Sequence, residues 1–257
     1  MDFFDCNCYF GSPFKPGESP KVCAGVDDLL AELNRAGIAR AMVWSVAQLD
    51  ASPQHGNPLL AEAIRNHPNL FGVWTVLPPQ TGEIPPDKLF SDMKANRIMA
   101  LNAFPNANRY LLNAVTMGPL LAEMTARRIP LIYSLKNNQP GVGERGAWMG
   151  LYDLLKDFPE LTVIITDHGS WSSDRYFRPL IENYKRVYVD TAIYFLDGGI
   201  EDLVARYGPG RLLFGSGLPE RFPGGMMLAI RHAEISEDAK VAIASGNLDR
   251  IIKEVTL

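Results

Sequence analysis

Between residue 26 and the end of the chain the sequence alternates between helix-period and strand-like stretches, and few architectures satisfy that alternation. VDDLLAELNRAGI puts Leu29, Leu30 and Leu33 on one helical face and stops at Gly37. ARAMVWSV follows as a nearly continuous apolar strand. NPLLAEAIRNHP reads as a helix capped by Asn57 with Pro58 in its first turn, and LFGVWTVLP is the next strand. The pattern continues through IMALNAF, IPLIYSL, LTVIITDHGS, RVYVDTAIY and RLLFGSGLP, each preceded by a helix-like segment. Strands that read as apolar runs belong to a parallel sheet covered on both faces. Roughly eight such units, with no linker or low-complexity tract, predict an α/β chain forming one (β/α)8 barrel domain over residues 1–257. An open doubly wound sheet is the rival, and it loses ground because no glycine-rich phosphate turn follows the first strand.

Composition narrows the function classes. A formal net charge of −4 offers no basic stripe, so nucleic acid is not an expected partner. No apolar run approaches the ~18 residues of a membrane helix. The N-terminus begins in strand-like sequence without a charged leader or cleavage site, which predicts no membrane association and a cytoplasmic location. Cys6, Cys8 and Cys23 form no disulfide framework. Cys6 and Cys8 lie two apart on a strand, so both are expected to face one side as buried, inert thiols.

The opening MDFFDCNCYFG raises the functional question, because polar and sulfur-bearing side chains stand where a core strand should carry Val or Ile. In a barrel, function sits at the C-terminal ends of the strands. Polar and aromatic residues collect at those ends: Asp5, Asn7, Tyr9, Trp44, Ser45, Trp74, Asn102, Ser134, Lys136, Asp167, His168, Asp190 and Ser216. Strand ends are also where burial gives way to solvent, which accounts for a Ser or an Asn. It accounts poorly for DHGS, where an imidazole follows a carboxylate directly after the dry run LTVIIT. His55, His67 and His232 fall in a loop or in helices and read as surface.

NPLLAEAIRNHPNLFGVWTVLP, GPLLAEMTARRIPLIYS, LTVIITDHGS, RLLFGSGLP and ISEDAKVAIASGNLDRII, in that order and spacing, resemble the amidohydrolase-related branch of the amidohydrolase superfamily. This branch comprises metal-dependent hydrolases of the TIM-barrel fold. The resemblance implies an Asp-x-His-x-His-x-Gly strand, histidines ending strands five and six, and a proton-accepting Asp on strand eight. DCNCYFG keeps Asp5 and Gly11 but has Asn7 and Tyr9 in the two histidine positions. Ser134 stands for the strand-five histidine, His168 is kept, and Gly217 replaces the acid. Asn, Ser and protonated Tyr are weak zinc ligands, so no metal ligand and no cofactor is expected, and zinc is disfavoured.

A metal-independent hydrolase of the lactonase kind is the leading reading. His168, oriented by Asp5, Asp167 or Asp190, would transfer the proton. Asn7, Tyr9 and Ser134 would donate to an oxyanion, and Lys136 or Arg175 would hold a carboxylate. Trp44, Trp74 and Trp171 would wall a pocket whose polar lining includes Asp190 and Ser216. The expected partner is a small polar or carboxylate-bearing molecule, and homodimers are common among the proteins resembled. A catalytically silent binding module is the alternative, favoured by Gly217. A metal hydrolase or decarboxylase with relocated ligands is a further one. The loop SPFKPGESPKVCAG, with Lys15 and Lys21, and the segment KNNQPGVGERGAW are candidate lids over the mouth.

Overall fold

The computed structural model describes residues 1–14, 21–139, 141–169 and 173–257. Eight parallel strands follow one another in chain order. They are β1 (Phe3–Phe10), β2 (Ile38–Ser45), β3 (Leu70–Thr75), β4 (Ile98–Asn102), β5 (Leu131–Ser134), β6 (Val163–Thr166), β7 (Val187–Asp190) and β8 (Leu212–Leu213). β8 is short, and the segment after it closes the ring on β1. Cys6 N–H donates to the Phe214 carbonyl at 2.9 Å, Gly217 N–H to that of Asn7 at 2.9 Å, and Tyr9 N–H to that of Leu218 at 3.0 Å. The expected (β/α)8 barrel is the fold.

Helices α1 (Val26–Ala36), α2 (Ala47–Asp50), α3 (Pro53–Ile64), α4 (Pro86–Ala95), α5 (Ala114–Ala126), α6 (Leu135–Asn138) and α7 (Gly143–Asp157) cover the first half. They are followed by α8 (Asp174–Asn183), α9 (Gly199–Tyr207), α10 (Gly224–His232), α11 (Glu237–Val241) and α12 (Asn247–Lys253). Among the described residues no helix is long and apolar enough to cross a membrane.

Every strand sends an apolar side chain into the barrel interior. Phe4, Met42, Val73, Ala100, Ile132, Ile164, Tyr188 and Leu213 form one cluster there, plugged by Leu248, Ile251 and Ile252 of α12. The outer faces of the strands pack in a second, larger cluster against the surrounding helices. The plug stands opposite the mouth, so any working site lies at the C-terminal ends of the strands.

Two local expectations are corrected. Cys6 and Cys8 do not share a face: Cys6 joins the interior cluster and Cys8 the outer one. Between Asp5 and Cys8, β1 advances three residues while β2 advances two, from Ala41 to Val43, so one extra residue flips the alternation. Helix α3 starts earlier than expected, capped by Ser52, whose side chain accepts from His55 N–H. Asn57 is instead buried inside it, accepting from Gln48 and from Thr75 N–H. The described part of the segment after β5 is largely helical, in α6 and the start of α7, and its Lys136 and Asn137 line the mouth. Lys21 pairs with Glu32 of α1, and Lys15 lies outside the described residues.

Candidate functional site

The mouth holds a cavity of about 560 Å³, within the range of small-molecule sites. Asn7 and Asp167 reach it from the floor, and Tyr9 and Trp44 from the wall. Lys136, Glu220 and Arg221 reach it from the rim. The Trp44 ring lies 4.7 Å from that of Tyr9 and 5.3 Å from that of Phe104, giving one aromatic side.

The floor is a buried hydrogen-bond network. Asn7 Nδ2 donates to Asp190 Oδ2 at 2.9 Å and to Asp167 Oδ1 at 3.3 Å, so its amide nitrogen bridges two carboxyl groups. Ser134 Oγ donates to Asp167 Oδ2 at 2.7 Å. Burial and the charge of Asp167 push the Asp190 carboxyl well above the usual carboxylate range, although the Asn7 amide opposes them. Among the described residues its Oδ1 has no hydrogen-bond partner, and His168 Nε2 stands 3.8 Å from it. Gly215 is what admits it: a Cβ there would stand 2.7 Å from Asp190 Oδ2.

Asp167 has φ of 54°, a left-handed conformation uncommon outside glycine. Its carboxylate meets the cavity, whereas the next residue, His168, turns away. The imidazole is fully buried between Phe177 and Tyr194, with ring centroids 5.5 and 6.2 Å away. Nε2 is 3.0 Å from the Asp190 carbonyl, which only accepts, so Nε2 carries the proton. Nδ1, 3.0 Å away, then accepts from Ser173 Oγ. Burial lowers its basicity, and the ring is neutral with both nitrogens engaged.

Asp5 and Ser216 also lie below the mouth. Asp5 accepts from Ser216 N–H at 2.8 Å, from Asn7 N–H at 2.9 Å and from Ser216 Oγ. Burial pushes its carboxyl up, and these bonds draw it back down. The pair joins β1 to the chain after β8. Trp74 faces the outer core, its indole N–H donating to the Asn57 carbonyl at 3.0 Å. Arg175 is exposed on α8, outside the cavity lining. Trp171 lies outside the described residues.

The rim carries residues that the sequence reading did not single out. Glu220 accepts from Tyr9 Oη at 2.9 Å and pairs with Lys136 at 2.5 Å. Burial pushes the Glu220 carboxyl up, but Lys136 and Tyr9 outweigh it and hold it below the ordinary range. Burial and the charge of Glu220 push the Tyr9 phenol up, so it stays protonated. Three residues beyond Gly217, the stretch LPER thus returns a carboxylate and a cation to the mouth. Charged residues just past a barrel strand were the available signal.

This donor set does not fit a divalent ion. The position-7 side chain presents a nitrogen donor, Tyr9 keeps its proton, Ser134 donates to Asp167, and His168 faces elsewhere. Burial pushes the Cys6 and Cys8 thiols well up, away from the thiolate a metal requires. Among the described residues no three His, Cys, Asp or Glu side chains converge to hold a metal.

The sequence profile of the family described as Amidohydrolase matches residues 11–247, and the chain belongs to that family. Its barrel is similar to that of an uncharacterized TIM-barrel protein from Bordetella bronchiseptica, at 17% identity and TM-score 0.70, with 99% of each chain covered. It is also similar to 4-oxalomesaconate hydratase from Rhodopseudomonas palustris, at 17% identity and TM-score 0.68, covering 98% of this chain and 96% of that one. A third is 2,6-dihydroxybenzoate decarboxylase from Rhizobium, at 14% identity and TM-score 0.73, covering 98% and 99%. No protein of curated function matches in sequence.

Proposed function

We propose that the mouth binds a small carboxylate-bearing molecule and hydrolyses an ester or lactone bond in it without a metal ion. The observation that carries this reading is Asp167, a half-buried carboxylate held in a left-handed turn at the floor of the cavity. A carboxylate has about four acceptor sites, and Asp167 accepts from Asn7, Ser134 and, at 3.3 Å, Thr166. The remaining capacity takes a proton from water as the water oxygen bonds to the carbonyl carbon. Lys136 has three N–H donors and gives one to Glu220, leaving others for the developing oxyanion. When the tetrahedral species collapses, the carbon–oxygen bond to the leaving alkoxide breaks and the alkoxide recovers the proton from Asp167. Arg221 holds the carboxylate of the ligand, and Trp44 stacks on its flat part. His168 and Asp5, engaged elsewhere, support the floor rather than move protons. Two relatives in fold are named for 2,6-dihydroxybenzoate and 4-oxalomesaconate, both carboxylates, which favours the ligand class.

The test is hydrolysis of a panel of carboxylated lactones and aryl esters by metal-free protein. Asp167→Asn is expected to lower the rate by about 10²-fold or more while leaving the fold intact. Equal rates for variant and parent would refute the assignment. Gly217 favours a second reading, a silent binding module, which predicts no turnover by the parent but a raised melting temperature with ligand.

A further inference from the structure

Among the described residues three acids, Asp50, Asp167 and Glu220, line the cavity against two bases, Lys136 and Arg221. Lys136 and Glu220 neutralise one another at 2.5 Å. What remains is one cation, Arg221, facing two anions. Arg221 has no side-chain hydrogen bond or ion pair with a described residue. Asp50, at the end of α2, accepts Phe14 N–H on Oδ2 at 2.7 Å, and its other oxygen has no partner among the described residues. A simple monocarboxylate would enter a space whose described lining is already net negative, so it complements only half of these groups.

We propose that the ligand of the mouth is dipolar, with its carboxylate on Arg221 and a positively charged nitrogen at its other end on Asp50. This rests on the reading of the mouth as a carboxylate site. Three observations converge on Asp50 for the positive end. Asp167 already accepts from three side chains, whereas Asp50 accepts one backbone N–H. The cavity wall is aromatic, with Trp44 and an exposed Phe14 in its lining, and ring faces attract cations. The two charges are also set apart, because Arg221 follows β8 and Asp50 follows β2, with β1 between them in the closed ring. An extended molecule charged at both ends is therefore the shape that addresses both, while Asp167, on the β6 side across the ring from Asp50, stays clear for chemistry.

The probes are 4-(aminomethyl)benzoate, benzoate and benzylamine, titrated calorimetrically into the full chain. The dipolar probe is expected to bind about fivefold or more tightly than either singly charged one. Asp50→Asn keeps an oxygen for Phe14 N–H, so it should close the gap by weakening the dipolar probe and strengthening benzoate. Asp50→Glu should restore the preference, which guards against a folding artefact. Arg221→Gln should weaken both carboxylates and spare benzylamine. If benzoate binds as tightly as the dipolar probe and remains sensitive to Arg221→Gln, the dipolar proposal fails and the carboxylate site stands. If benzoate binding ignores Arg221→Gln, or no probe binds, both fail. A preference that survives Asp50→Asn overturns the role of Asp50.

Discussion

The floor and the rim of the mouth are built from the same kinds of side chain but differ in burial and in what those side chains bond to. On the floor, Asn7, Ser134, Asp190 and His168 bond to one another or to backbone and are almost wholly buried. On the rim, Asp50 and Arg221 face the cavity with unused hydrogen-bonding capacity. Asn7, Ser134 and His168, three of the positions where the resemblance places metal ligands, are engaged in these internal bonds. The unused capacity lies further out, at the end of α2 and in the segment after β8. Asp167 is the point of contact between the two layers.

That contrast can be broken at the floor first. Asp5→Ala removes the acceptor for Ser216 N–H, Ser216 Oγ and Asn7 N–H, all buried. Stranded buried donors make this the costliest single change, about 3–5 kcal/mol in chemical denaturation. A loss near 1 kcal/mol would mean that the floor is as loosely held as the rim.

Asp190 sharpens the comparison through pH. Its folded carboxyl titrates well above the ordinary value because of burial and the charge of Asp167. As pH rises past the usual carboxylate range, the unfolded chain releases this proton and the folded chain keeps it. Stability then falls by about 1.4 kcal/mol per pH unit until the folded group titrates. Asp5, also raised by burial, contributes with the same sign. His168, lowered by burial, acts oppositely: its contribution is lost as pH falls below about 6.5. Asp190→Asn cannot titrate but still offers an oxygen to Asn7. Relative to the parent it should gain stability steadily from about pH 4 upward. Parallel stability–pH curves from urea unfolding would show that Asp190 is ionised in the fold.

The barrel itself was legible because eight apolar runs separated by helical periods leave little choice of architecture. The seats of Asn7, Tyr9 and Ser134 were legible because strand order and spacing locate them. Which way side chains point was not. The extra residue in β1 that separates Cys6 from Cys8 depends on pairing with β2 and has no mark in DCNCYF. DHGS likewise does not reveal that Asp167 adopts a left-handed turn and sends His168 outward. Glu220 and Arg221 lie in a loop whose return to the mouth depends on hydrogen bonds to β1, residues more than two hundred positions away.

Gly217, the position where the resemblance places an acid, stands between the layers. Its φ is 65°, and a Cβ there would approach Arg221 Cγ to 2.5 Å. Gly217→Asp should cost about 1–3 kcal/mol through backbone strain and displacement of Arg221. It should create no metal-dependent hydrolysis, since Asn7 and Tyr9 remain. Zinc-stimulated turnover in this single variant would show that the floor still holds a latent metal site.

Tyr9→Phe tests the rim, where the smallest effect is expected. The phenol gives one half-exposed hydrogen bond to Glu220, which keeps its pairing with Lys136. The ring also retains its contact with Trp44. The loss should be about 0.5–1 kcal/mol in thermal or urea unfolding, several times less than at Asp5. The measurement discriminates because hydroxyl removal leaves volume and packing almost unchanged. A cost matching that of Asp5→Ala would mean that Tyr9 and Glu220 belong to the scaffold, and the division between a buried floor and an open rim would have to be abandoned.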